Sequence, residues 1–360
     1  MQHVAIIGGG VIGLMTAREL ALAGCRVSVL ERGAIGREAS WAGGGIVSPL
    51  YPWRYAPPVT ALASEAQAAY PQLARELLDA TGIDPELEAC GLLMLDAHDR
   101  RDAVAWAAAQ GKQLEILGAA SLYRQFPMLA PGFQEGLWMP EIANIRNPRL
   151  LRALRADLEQ RPGVSLREQA EVVAIDNVSG RCQGVRLASG EQVAADAVVV
   201  CGGAWSARVL EGLGQPLAVR PVQGQMILYQ MAPGALQGII MAQGRYLIPR
   251  RDGLVLCGST LEEVGFDKHT TEEALASLQG SAEAMWPALQ GVTPVGHWAG
   301  LRPGSPNGIP FIGAVPGVSN LWVNAGQFRN GLVLAPASAR LLADLLLARP
   351  TALDPAPYQL

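Results

Sequence analysis

The first thirty residues constrain the fold more than any other part of the chain. Val4-Ala5-Ile6-Ile7 is an unbroken apolar run, suited to a strand buried on both faces. Gly8-Gly9-Gly10-Val11-Ile12-Gly13 follows, and Val11 to Ala23 carries apolar residues at helical spacing, with Gly24 as the stop. Arg26 to Glu31 then reads as a second strand. A strand, a crossover helix and a second strand in about thirty residues make a parallel βαβ unit. The glycines match G-x-G-x-x-G in the context that motif requires. Gly8 permits the tight turn, Gly10 lets backbone amides approach a pyrophosphate, and Gly13 allows helix and strand to pack closely. Glu31, at the end of the second strand, is placed to accept from ribose hydroxyls and would repel a 2′-phosphate. The motif alone fits NAD and FAD equally.

The rest of the chain favours FAD. A nicotinamide enzyme usually continues in one block of βα repeats, whereas here the second fully apolar run, Ala197 to Cys201, arrives after a β meander and ends in Gly202-Gly203. Strands are expected over Glu171 to Ile175, Cys182 to Leu187 and Gln192 to Ala194, with Ser179-Gly180 and Ser189-Gly190 as turns. Leu217 to Tyr229, Ile239 to Met241, Tyr246 to Ile248 and Leu254 to Cys257 suggest a larger antiparallel sheet. Helices are expected over Ala61 to Ala80, Thr271 to Trp286, Asn330 to Ala348 and Pro148 to Gln160, the last capped by Asn147. Gly33 to Pro58 reads as irregular loop. The fold class is α/β, α+β overall, with a discontinuous Rossmann-like domain (residues 1–80, 148–214 and 300–360). A mixed antiparallel-sheet domain (81–147 and 215–299) is inserted in it.

The 360 residues carry a net charge of −4, which speaks against nucleic acid as a partner. The five cysteines have no metal or disulfide spacing and read as buried free thiols of a reducing compartment. No apolar run reaches the roughly 20 residues of a membrane helix. The expectation is a soluble, cytoplasmic protein.

Two phrases near the end carry the chemistry. Trp298-Ala299-Gly300-Leu301-Arg302-Pro303-Gly304 and Gly326-Gln327-Phe328-Arg329-Asn330-Gly331 each set one arginine among glycines. Either could be an ordinary turn. Beside a dinucleotide fingerprint, they suggest guanidinium groups facing a small carboxylate.

With these phrases, Tyr246-Leu247-Ile248-Pro249-Arg250 and the run Ala325 to Ala337, the chain resembles the D-amino-acid oxidase family of flavoproteins from residue 3 to the closing helix. The resemblance implies FAD, and no cysteine or histidine stands out as a covalent link to it, so non-covalent FAD is expected. The resemblance places Val11 and Ile12 on the pyrophosphate loop, Glu31 and Arg32 by the adenosine ribose, and Val172 at the adenine. Ser40 and Ala42 to Ile46 (with Gly43, Gly44 and Gly45) border the flavin. Gly326, Gln327, Phe328, Arg329, Asn330, Gly331, Leu332 and Val333 wrap the isoalloxazine. It makes Arg302 a bidentate fork for the substrate carboxylate, Tyr246 a hydroxyl donor to the same group, and Arg329 a neighbour at the mouth or flavin edge. The activity implied is oxidation of glycine, sarcosine or small D-amino acids to a 2-oxo acid, ammonia and hydrogen peroxide, with the glycine imine available to thiazole synthesis. Dioxygen is then the second substrate, and a homo-oligomer, a tetramer among relatives, is the expected assembly.

The chain departs from the family's pattern in places. Gln327 stands where histidine is common, and Gly45 and Leu261 where bulkier or more flexible apolar residues are. Lys268 reads as a solvated loop residue rather than one that activates oxygen. The four histidines are scattered, and none has ligand spacing. Two alternatives stay open: a dehydrogenase for D-amino or imino acids that feeds a quinone, and a flavin-binding module without amine oxidation.

Overall fold

A computed structural model describes all 360 residues. The chain builds two large sheets. The first has six strands in the order Phe311–Ala314, Leu321–Ala325, Ala197–Val200, His3–Ile7, Arg26–Leu30 and Val164–Arg167. All its neighbours run parallel except Phe311–Ala314, which is antiparallel to Leu321–Ala325. The central strand is buried on both faces, with period two dividing its side chains. Val4 and Ile6 pack among the helices Val11–Leu22, Pro57–Thr81, Asn147–Glu159 and Gly331–Leu346. Ala5 and Ile7 pack against the three-stranded meander Val172–Val178, Arg181–Leu187 and Gln192–Ala194.

The second sheet has eight strands: Gly296–Gly304, Arg220–Gln230, Leu254–Gly258, Arg245–Pro249, Ile239–Ala242, Leu92–Met94, Glu135–Met139 and Glu115–Gly118. Only the Ile239–Ala242 and Leu92–Met94 pair is parallel. Ile227, Tyr229, Leu247 and Cys257 form a core with the Glu272–Met285 helix. Met226, Tyr246, Ile248 and Leu256 face the other way, onto Ile46 and Tyr51. The closing helix is absorbed by core packing, since Leu334, Leu341 and Leu342 are buried.

Three local features differ from the sequence reading. Trp298 to Gly304 is no turn: Gly296–Gly304 is a nine-residue strand paired with Arg220–Gln230 along its length. Asn147 is not a cap. The helix begins at it, and its side chain donates instead to the carbonyls of Ser40 (2.8 Å) and Gly43 (3.1 Å). The Gly33 to Pro58 segment holds a helical turn, Ala39–Ala42, a 3-10 turn, Pro52–Arg54, and the first residues of the Pro57–Thr81 helix. Four of the five thiols are buried, and Cys90 is half-buried. No helix is long and apolar enough to cross a membrane.

Candidate active site

One continuous cleft takes its walls from both sheets. Gly8, Gly10, Val11 and Ile12 line it where the first strand gives way to the first helix. Gly8 has φ +109°, and a Cβ there would lie 2.4 Å from the Cys201 carbonyl oxygen. A Cβ on Gly13 would lie 2.0 Å from Gly8 O, so Gly13 serves packing from outside the cleft. No residue next to the helix caps its N-terminus. Ser40, 29 residues on, does so in part: its Oγ accepts from the Val11 N–H at 2.9 Å. The positive end of the helix is thus turned to the cleft.

Glu31 lines the cleft, yet its first task is internal. Oε2 accepts from Gly9 N–H at 2.8 Å and Oε1 from Gly33 N–H at 2.9 Å, which braces the glycine loop. Each oxygen keeps a lone pair for a ligand. Arg32, Val172 and Gly202 also line the cleft, as do Gly43, Gly44, Gly45 and Ile46. Arg32 stacks 3.9 Å over Trp205, and Trp205 lies 5.4 Å from Phe266, which in turn has Arg208 3.6 Å above it. Phe266 belongs to the segment between Leu254–Gly258 and the Glu272–Met285 helix. This segment is also tied down by Lys268, bonded to Glu38 at 3.1 Å.

Tyr246 and Arg302 come from two strands of the second sheet. The Tyr246 ring sits in a slot made by missing side chains: a Cβ on Gly258 would be 2.9 Å from it, and one on Gly44 3.2 Å. The Arg302 Nη1 donates to the carbonyls of Gln223 (3.1 Å) and Thr260 (3.2 Å), and Nη2 to Ser259 Oγ (2.6 Å). A guanidinium has five N–H donors. Three are used, which leaves Nε–H and one Nη2–H for a ligand. Burial presses the Arg302 pKa below its ordinary value; Tyr246 opposes this, and Arg329 adds to it.

Arg329 is exposed at the cleft, in the turn Phe328–Asn330. Gln327, Phe328, Gly331, Leu332 and Val333 line the cleft beside it, whereas Gly326 and Asn330 lie behind. Gln327 heads a chain of side-chain amides. Its Nε2 donates to Asn324 Oδ1 at 2.7 Å, and Asn324 Nδ2 donates to Ser338 O at 3.2 Å. Leu261 is 55% exposed and lines no part of the cleft. His297 stands outside it too, 3.0 Å from Gln225 Oε1. No group of three or more histidine, cysteine or acidic side chains could hold a metal.

Sequence reasoning assigned no role to Ser259, Gly224, Arg250 or Trp205. Gly224 carried a signal, because glycine within a strand marks a close approach.

A long anionic ligand with a flat ring system accounts for the whole cleft. Its parts are a glycine cradle a Cβ would fill, a helix N-terminus, and walls shared by two sheets. The class defined is that of dinucleotide-binding flavoenzymes. Residues 3–345 match the profile of the FAD dependent oxidoreductase family, DAO, and the chain belongs to that family. FAD is its cofactor. The chain is 54% identical to glycine oxidase from Pseudomonas aeruginosa, over 99% of this chain and 98% of that one. It is 33% identical to the bifunctional protein ThiO/ThiG of a Synechocystis species, over 96% of this chain and 52% of that longer protein. The crystal structure of glycine oxidase from Geobacillus kaustophilus superposes with a TM-score of 0.94 at 31% identity, covering 100% of this chain and 99% of that one.

Proposed function

We propose that the protein oxidises glycine, together with sarcosine and small D-amino acids, to the 2-oxo acid, the freed amine (ammonia, or methylamine from sarcosine) and hydrogen peroxide. The observation that carries this reading is the Arg302 fork. It is locked on one side by two carbonyls and a hydroxyl, and it has two donors free beside Tyr246. Such an edge matches the two oxygens of a carboxylate. The Tyr246 hydroxyl adds a donor to the same group, and Arg329 raises the positive potential at the mouth. With the carboxylate held at these points, the amine-bearing carbon has one orientation toward the cofactor.

Bound FAD supplies the acceptor for the substrate's electron pair and returns it to dioxygen. Gly8, Gly10, Val11 and Ile12 would hold its pyrophosphate, and Glu31, Arg32 and Val172 its adenosine. Ser40, Gly43 to Ile46 and Gln327 to Val333 would hold the flavin. Cys201 is the one cysteine at the cleft, and burial pushes its thiol up to about 12, so it is a poor nucleophile for a covalent link. The division of labour follows the sheets, the first for FAD and the second for substrate. Kinship with glycine oxidases and ThiO/ThiG proteins supports glycine as substrate and supply of its imine to the thiazole of thiamine. A cytoplasmic homo-oligomer, tetrameric as in relatives, completes the reading.

An oxygen-electrode screen of the purified protein with glycine, sarcosine, D-alanine and D-proline tests it. We expect oxygen uptake with matching peroxide, and the highest kcat/KM for glycine. Flavin reduction without peroxide under air would replace the oxidase with a quinone-linked dehydrogenase. An unchanged visible spectrum with every amine would leave only a flavin-binding module.

A further inference from the structure

Arg250 is a buried cation with no carboxylate in hydrogen-bond contact; Glu86 and Asp252 act on it from a distance and are themselves paired with Arg146. Its side chain is part of a residue only 7% exposed, and it meets carbonyls and an amide, not a carboxylate. Nη1 donates to Ile145 O at 3.0 Å and to the Asn144 amide oxygen, and Nη2 donates to Gly44 O at 2.8 Å. Burying a charge this way is costly, so the site demands a purpose. Burial, followed by the neighbouring Arg146, pushes its pKa down to about 10.

The geometry around it is regular. Tyr246, Ile248 and Arg250 share one side of their strand by the period of two. The glycine loop rests on that row. A Cβ on Gly44 would be 2.7 Å from Ile248 Cδ1 and 3.2 Å from the Tyr246 ring. Gly45 has φ +79°, its carbonyl accepts from Ile145 N–H at 2.8 Å, and a Cβ on it would lie 2.1 Å from Ile145 O, a carbonyl that Arg250 holds. From the opposite side, Asn147 grips Gly43 O. Gly43, Gly44, Gly45 and Tyr246 all line the cleft.

We propose that Arg250 is a positioning residue: it fixes the glycine loop that borders the cofactor at a set distance from Tyr246, and so sets how deep a substrate held by Tyr246 and Arg302 sits against the flavin. The inference rests on the carboxylate reading of Tyr246 and Arg302. A point charge would not serve here, because only a planar fork meets three acceptors spread over two segments.

The experiment compares the FAD-loaded enzyme with Arg250→Lys and Asn144→Ala, the second of which keeps the guanidinium but removes one acceptor. Three quantities are read: the limiting rate of anaerobic flavin reduction by glycine, the Kd of acetate from the shift of the flavin band, and the shape of that band without ligand. We expect the limiting rate to fall at least tenfold in Arg250→Lys and severalfold in Asn144→Ala. Acetate Kd should stay within threefold, because Arg302 is intact, and the band should change shape because the loop has moved. A limiting rate within twofold and an unchanged band would overturn the proposal. Should Arg250→Lys fail to fold, the same outcome in Asn144→Ala overturns it. If glycine reduces no flavin in the unaltered enzyme, the substrate reading fails, and the ligand-free band alone decides the loop's dependence on Arg250.

Discussion

The Arg302 guanidinium lies where Gly224 has no side chain. The two residues are on adjacent strands, and a Cβ on Gly224 would come within 2.1 Å of both Nη atoms. The fork is flexible in itself but is pinned by three hydrogen bonds, so an added methyl group must break some of them. Gly224→Ala is expected to raise the KM for glycine about tenfold or more, with an overpacking cost of ~1–3 kcal/mol. Steady-state kinetics and a thermal melt check this. An unchanged KM in a folded variant would show that the fork has another place to lie.

Arg302→Lys keeps the charge and removes the planar edge. We expect kcat/KM to fall by roughly a hundredfold, or about 3 kcal/mol, with FAD content unchanged. Activity near that of the unaltered enzyme would mean that the carboxylate is held elsewhere.

Phe266 is stacked between Trp205 and Arg208, and Trp205 and Arg208 line the cleft. The segment it belongs to therefore straps the second sheet to the cofactor side. Cation–π contacts of ~0.5–2 kcal/mol predict a rise in FAD Kd of about 2- to 30-fold for Phe266→Ala. Flavin fluorescence on dilution measures it, and retention equal to that of the unaltered protein would sink the idea.

His3 is 8% exposed, and its Nδ1 has no partner. Burial, then Arg26, lowers its pKa below the ordinary 6.5. A depressed histidine favours the fold above the unfolded pKa, and that stability is lost as pH falls through 6.5 to the lowered value. His297 acts in the same sense through burial. Urea midpoints should fall between about pH 7.5 and pH 5.5, and His3→Gln should flatten that slope. An equal slope in the variant would assign the loss to other groups.

The βαβ unit was legible because its signals are local: an apolar run, a glycine turn, a helical period and an acid within 31 residues. Tyr246, Arg302 and the Gly326 to Val333 run were legible as phrases, through the family resemblance. The strand around Arg302 was not. Its glycines look like turn residues, and only the packed structure shows that a Cβ on Gly300 would lie 2.6 Å from the Ala42 Cβ. The Val164–Arg167 strand escaped notice because it is a short, half-exposed edge. Asn147 had the right neighbours for a cap, but the helix begins at it rather than after it; its NH2 donates to the loop carbonyls of Ser40 and Gly43, and its oxygen, the atom a cap would use, has no partner. The Phe266 stack joins residues some sixty positions apart, and nothing local announces it.

The order of strands in the first sheet has a consequence for synthesis. His3–Ile7 is translated first, yet one neighbour is residues 197–200 and the strand beyond that is 321–325. The cleft needs residues from Ile7 to Val333. During synthesis this strand can pair early with Arg26–Leu30, but its other edge stays open until Ala197–Val200 has been made. Cofactor capture is therefore a late event, which must wait until the Gln327 to Val333 wall of the cleft has been made.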